Sequence, residues 1–170
     1  MKKHAFPFLA AAFCRALAVV LLLTGAALPL HAAAGLGLSQ SSITNTYTGT
    51  LNLTITGLDS VGQTVVIEEY LDADGSGTIN AGDILLRKYN VTDGQITTIG
   101  GVRNLNIPSE DDGAADGKIT THFTYGSSEL LGRIDGLHIF RVSPSGAGFT
   151  PVTKNLTVTQ QDYAGSGISG

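Results

Sequence analysis

The sequence has no tryptophan, a single cysteine at position 14, and only two histidines beyond residue 34. With its one thiol confined to the amino-terminal segment, the rest of the chain cannot form an internal disulfide, hold zinc through thiolates or use a cysteine nucleophile. His122 and His138 lie in strand-like segments without metal-ligand spacing, and both read as structural or surface residues. The chain also lacks a Gly-x-Ser-x-Gly elbow, a phosphate-binding glycine loop and a His-Glu-x-x-His stretch. Paired carboxylates serve glycosidases, but nothing in the spacing of Glu68, Glu69, Glu110 and Glu129 selects a pair. With five Tyr, six Phe and no Trp, a sugar-stacking platform is poorly supplied. These absences predict a protein that is not an enzyme.

The amino terminus has its own character. Lys2, Lys3 and Arg15 make a basic start, residues 16–30 are almost wholly apolar, and His31-Ala32-Ala33-Ala34 supplies the small residues of a cleavage site. This pattern predicts a secretory signal over 1–34, cut after Ala32 or Ala34, and its apolar run is shorter than the roughly 20 residues of a spanning helix. Phe13 before Cys14 argues against a lipoprotein. Cys14 then leaves with the signal, and the mature chain is expected to be secreted, periplasmic or on the cell surface, with no membrane span. Without the signal, seven Lys and Arg face fourteen Asp and Glu, a net charge of −7 that makes nucleic acid an unexpected partner.

What the sequence has in quantity is Thr, Val, Ile and Gly in short alternating runs. Leu51, Leu53 and Ile55 alternate with Asn52, Thr54 and Thr56, the period of a half-buried strand. Further strands are expected at 43–47, 64–71, 84–91, 95–99, 118–125, 136–143 and 155–160. Seven or eight strands in one domain over 35–164 predict an all-β, antiparallel, immunoglobulin-like sandwich, followed by a Gly/Ser tail at 165–170. No segment shows sustained helical periodicity, although 81–89 could wind as a helix. Residues 100–117 read as a long polar loop, the kind that is usually functional or disordered. Asn-x-Thr triplets at Asn52, Asn90 and Asn155 follow from threonine-rich strands in a bacterial-looking chain and are taken as chance.

The most specific signal lies between the second and third main strands. Residues 72–83 read Asp-Ala-Asp-Gly-Ser-Gly-Thr-Ile-Asn-Ala-Gly-Asp. Against the twelve-residue calcium loop, Asp72 falls at position 1, Asp74 at 3, Ser76 at 5, Thr78 at 7, Asn80 at 9 and Asp83 at 12. Alternate residues converge hard oxygens on a hard cation, Gly77 at position 6 allows the sharp turn, Thr78 needs only its carbonyl, and Ile79 ties the loop to the core. Ser76 in place of an acidic or amide residue, and Asp83 in place of a bidentate Glu, predict binding on the order of 10⁻⁴ to 10⁻³ M.

The stretch from Asp72 to Tyr89 resembles a dockerin half-repeat, with Asp at loop position 12 and a following run of leucine and basic residues. That resemblance implies a cohesin partner, a helix after the loop and a second repeat. The second copy is eroded: Asp112, Asp116, Gly117 and Ile119 keep positions 1, 5, 6 and 8, while Ala114 and Phe123 stand at 3 and 12. With strands flanking the loop, the chain instead resembles calcium-stabilised immunoglobulin-like modules of bacterial surface and exported proteins, which implies a structural or adhesive role toward a protein or glycan. A carbohydrate-binding module is the remaining alternative. The second acidic stretch, Glu110, Asp111, Asp112 and Asp116, reads as a degenerate calcium site, as a lid lending Asp111 or Asp112 to the first, or as a solvated loop.

Overall fold

The computed structural model describes residues 33–96, 98–99, 102–103, 110–125 and 134–161. The expected signal, apart from Ala33 and Ala34, and the expected tail lie outside the described residues, as does Glu129.

The described chain is all-β. Its strands are β1 (Gly35–Leu38), β2 (Ser42–Thr44), β3 (Thr50–Thr56), β4 (Thr64–Leu71), β5 (Ile84–Thr92), β6 (Thr98–Ile99), β7 (Val102–Arg103), β8 (Ile119–Thr124), β9 (Gly136–Pro144) and β10 (Val152–Thr159). One sheet has the order β1-β3-β8, a second the order β2-β10-β9-β4-β5, and β6-β7 form a short hairpin. All pairings are antiparallel except that of β2 with β10. Two strands escape a reading by alternation: β1, written Gly-Leu-Gly-Leu, and β7, only two residues long inside the stretch expected to be loop. Both are held by a partner strand rather than by propensity of their own.

Alternation explains the core. Leu51, Leu53 and Ile55 of β3 are fully buried beside Ile119 and Phe123 of β8, and they face Val65, Ile67, Val91, Phe140, Val142, Leu156 and Val158 of the other sheet. Two sheets closing over one apolar layer make a sandwich. Among the described residues no helix is long and apolar enough to cross a membrane.

The β4–β5 hairpin orders everything that follows. It pairs Thr64 with Thr92 at one end and Leu71 with Ile84 at the other, with a register shift between Glu69 and Tyr70. Segment 84–92 is therefore a strand, where the dockerin resemblance implied a helix. Its ends are roughly 24 Å apart at about 3.4 Å per residue, and each carries an acidic cluster.

Candidate metal-binding site

Residues 72–83 connect β4 to β5 as an exposed loop whose backbone turns at Gly75 and Gly77, both at positive φ (71° and 72°). A side chain at either would be strained there, which is the local reason for glycine. The carboxylates of Asp72, Asp74 and Asp83 each place an oxygen within 4.8 Å of the other two, so this group can hold a metal ion.

The loop organises itself around these oxygens. Asp72 accepts hydrogen bonds from the backbone amides of Ser76 (3.0 Å) and Gly77 (2.8 Å), Asp74 from that of Ser76 (3.0 Å), and Asp83 from that of Asn80 (2.8 Å). Ser76 Oγ donates to the Thr78 carbonyl at 2.9 Å. Asn80 Nδ2 stands among Ser76 Oγ (2.8 Å), Asp74 Oδ2 (2.9 Å) and Thr78 O (3.3 Å). An amide nitrogen has two hydrogens for three acceptors, so the positive end of this dipole sits where oxygens outnumber donors. Asp83 Oδ1 is shielded from solvent and has no hydrogen-bond partner. An orphaned carboxylate oxygen beside such a cradle is what a bound cation would satisfy.

The hydrogen bond from Asn80, followed by those from Ser76, holds the Asp74 carboxyl below its usual range, so it stays ionised. Gly82 is needed for space rather than for φ: a Cβ there would lie 2.9 Å from Asp74 Oδ2 and 3.1 Å from Asn80 Oδ1. Of the six predicted ligand residues, Asp72, Asp74 and Asp83 bring carboxylate oxygens together, and Ser76 Oγ and Thr78 O lie with Asp74 Oδ2 against the Asn80 nitrogen. Asn80 differs, because its Oδ1 accepts from the Gly82 amide at 2.6 Å while its nitrogen faces the other oxygens. Direct ligation by Asn80 requires its amide to turn over.

The second acidic stretch lies at the other end of the hairpin. Asp111 is buried, its carboxylate accepting from the amides of Gly94 (2.8 Å) and Thr120 (2.7 Å) while its own amide donates to Gln95 O at 2.6 Å. Asp93, which sequence reasoning passed over, is buried as well and accepts from Gly62 (2.8 Å), Asp116 (3.2 Å) and Gly117 (2.9 Å). Asp112 and Asp116 are exposed and each caps an amide two residues on, Ala114 and Lys118. Asp111 and Asp112 therefore do not reach the 72–83 loop, and Glu110 is buried at 1% exposure. The strand between the two clusters excludes a shared ion.

The adjacent carboxylates of β4 divide between its two faces. Glu68, outward, meets Arg141 and Lys88; burial alone would raise its carboxyl, but the hydrogen bonds and charges of Arg141 and Lys88 outweigh it and hold it below the usual range. Glu69, inward and fully buried, meets His138 and Arg87. Sequence spacing selects no acid–base pair among the glutamates, and Glu68 and Glu69 are each engaged by basic partners on their own face of the sheet.

No family profile matches the chain, and no curated protein matches it by sequence. Among solved structures it superposes on the alkylpurine DNA glycosylase AlkC of Pseudomonas fluorescens bound to DNA containing an abasic site analog, at 16% identity and TM-score 0.35 over 81% of this chain and 32% of that one. A β-glucosidase from Listeria innocua in complex with glucose matches at 14% identity and TM-score 0.36, over 76% of this chain and 16% of that one. Murine CRIg matches at 8% identity and TM-score 0.36, over 76% of this chain and 98% of that one. The chain spans under a third of the glycosylase and about a sixth of the glucosidase, and at these scores the likeness carries no functional argument.

Proposed function

We propose that this protein is an exported, immunoglobulin-like calcium-binding module with a structural or adhesive rather than catalytic role, in which calcium orders the 72–83 loop. The observation that carries the reading is the convergence of oxygens from Asp72, Asp74 and Asp83 within 4.8 Å, together with a shielded Asp83 oxygen that has no hydrogen-bond partner. All-oxygen donors with three carboxylates suit a hard divalent cation, and a loop of this length and glycine pattern suits calcium. The strand order, with β4 and β5 extending the sheet that holds β9 and β10, supports the immunoglobulin-like reading.

In this role the ion acts through folding. Its ligands assemble only when β4 and β5 are paired, so calcium stabilises the hairpin and stiffens a loop at the sandwich's end. A rigid rim there would present the module to a protein or glycan at the cell surface. The test is thermal unfolding followed by circular dichroism, in millimolar calcium and in chelator, with an Asp72→Ala/Asp74→Ala double variant. A midpoint raised by calcium in the parent and unmoved in the variant supports the reading; a parent that ignores calcium overturns it.

A further inference from the structure

Asn80 touches the 72–83 loop at several of its ligand positions at once. Its side-chain nitrogen Nδ2 lies 2.9 Å from Asp74 Oδ2, 2.8 Å from Ser76 Oγ and 3.3 Å from Thr78 O, the residues at positions 3, 5 and 7 of the calcium loop. Its backbone amide donates to Asp83 Oδ2, at position 12, over 2.8 Å. The other end of the side chain is held as well, because Oδ1 accepts from the Gly82 amide at 2.6 Å.

The opposite orientation of this amide is disfavoured on both sides. Turned over, Oδ1 would face the Asp74 carboxylate, acceptor against acceptor, and the NH2 group would face the Gly82 N–H, donor against donor. Gly82 is seated against both partners: a Cβ on it would lie 3.1 Å from Asn80 Oδ1 and 2.9 Å from Asp74 Oδ2.

We propose, resting on calcium as the ion of this loop, that Asn80 is a built-in competitor of the ion rather than one of its ligands. Its NH2 group latches the loop by standing among the oxygens of Asp74, Ser76 and Thr78, and calcium reaches those oxygens only by displacing it. Calcium sits about 2.3–2.6 Å from its oxygens, and the partly positive hydrogens of an amide that already lies within 3.3 Å of all three cannot share them with a dication. Whatever the latch adds to the stability of the loop in chelator is subtracted from the binding free energy, since binding must first undo it. Asn80 thereby raises the calcium concentration at which the loop fills. A residue at position 9 of the ligand pattern acts here against the ion.

The test uses the full 15N-labelled chain, first in chelator and then in calcium. In chelator the side-chain NH2 hydrogens of Asn80 are expected to exchange with solvent about tenfold more slowly than those of Asn155, an exposed residue of β10. Asn80→Ala is expected to speed exchange of the Ser76 and Gly77 backbone amides in chelator by about the same factor. As calcium is added, the Asn80 hydrogens should come to exchange as fast as those of Asn155, and the Gly82 amide should lose its protection with them. Isothermal titration reads the competition directly: Asn80→Ala is expected to bind calcium about tenfold more tightly than the parent. Weaker binding by Asn80→Ala, as the loss of a ligand would give, overturns the inference. So does an Asn80 NH2 group that exchanges in chelator as fast as that of Asn155. A parent that takes up no calcium overturns the calcium reading and the competition with it, and the exchange rates in chelator then decide alone whether Asn80 latches the loop.

Discussion

The two ends of the β4–β5 hairpin are both rich in carboxylates and use them in opposite ways. At the Thr64/Thr92 end, Asp93 and Asp111 are buried and their oxygens are taken by five backbone amides from Gly62, Gly94, Asp116, Gly117 and Thr120. At the Leu71/Ile84 end, Asp74 is exposed, Asp83 keeps one oxygen without a partner, and three carboxylates lean toward one another. Neutral amides answer the charge in the first cluster; in the second, a few amides leave mutual repulsion that a cation would relieve. The lesson is that carboxylate count does not mark an ion site. What marks it is whether the backbone has already supplied the donors.

Breaking the buried end should cost most. Asp93→Ala leaves three amides without their acceptor, and a loss of about 3 kcal/mol is expected, a fall in melting midpoint of roughly 10 °C. Calcium and chelator should give the same fall, as scanning calorimetry in both will check. Glycine substitutions sharpen the contrast. Gly94→Ala meets both a positive φ of 81° and Ala115 Cβ at 2.7 Å, whereas Gly77→Ala meets the φ of 72° with open space around it. Losses of about 2 and about 1 kcal/mol in chelator are expected from strain with and without a clash, read by urea unfolding.

At the exposed end the effect is smaller and conditional. Calcium at ten times its dissociation constant should add about 1.4 kcal/mol to the parent. Asp83→Asn should abolish most of that gain while costing little in chelator, and isothermal titration would show the lost binding. The smallest effect concerns pH. The depressed carboxyl of Glu68 contributes stability that is present above the unfolded value and lost as pH falls through the folded one. Glu68→Gln should therefore flatten the acid limb of the stability curve measured in chelator. If it leaves that limb unchanged, the ion pairs with Arg141 and Lys88 add nothing net.

Much of the architecture is legible locally. Strand β4 falls on 64–71 as expected, because its β-branched residues are bounded by turn residues on both sides. The clustering of Asp72, Asp74 and Asp83 is legible for a similar reason: their oxygens come from one continuous stretch, so their spacing is their geometry. Asn80 marks the limit, since sequence spacing does not reveal which end of its amide faces the other oxygens.

Less legible were the residues whose partners are distant in the chain. Asp93 looks like an ordinary turn residue until Gly62 and residues 116–117 arrive at it. Glu69 and His138 are separated by 69 positions, and neither has a spacing that announces the other. Strand β1 forms because β3 offers an open edge, not because Gly-Leu-Gly-Leu prefers it.

By itself, then, the sequence determined the all-β class, most strand positions and the grouping of Asp72, Asp74 and Asp83, because alternation and loop spacing act over a few residues. Only the tertiary structure decided which carboxylates were answered by amides, which histidine entered the core and where the second acidic stretch lay. Those outcomes depend on burial and on donors delivered from other strands, and both exist only once the sheets have closed.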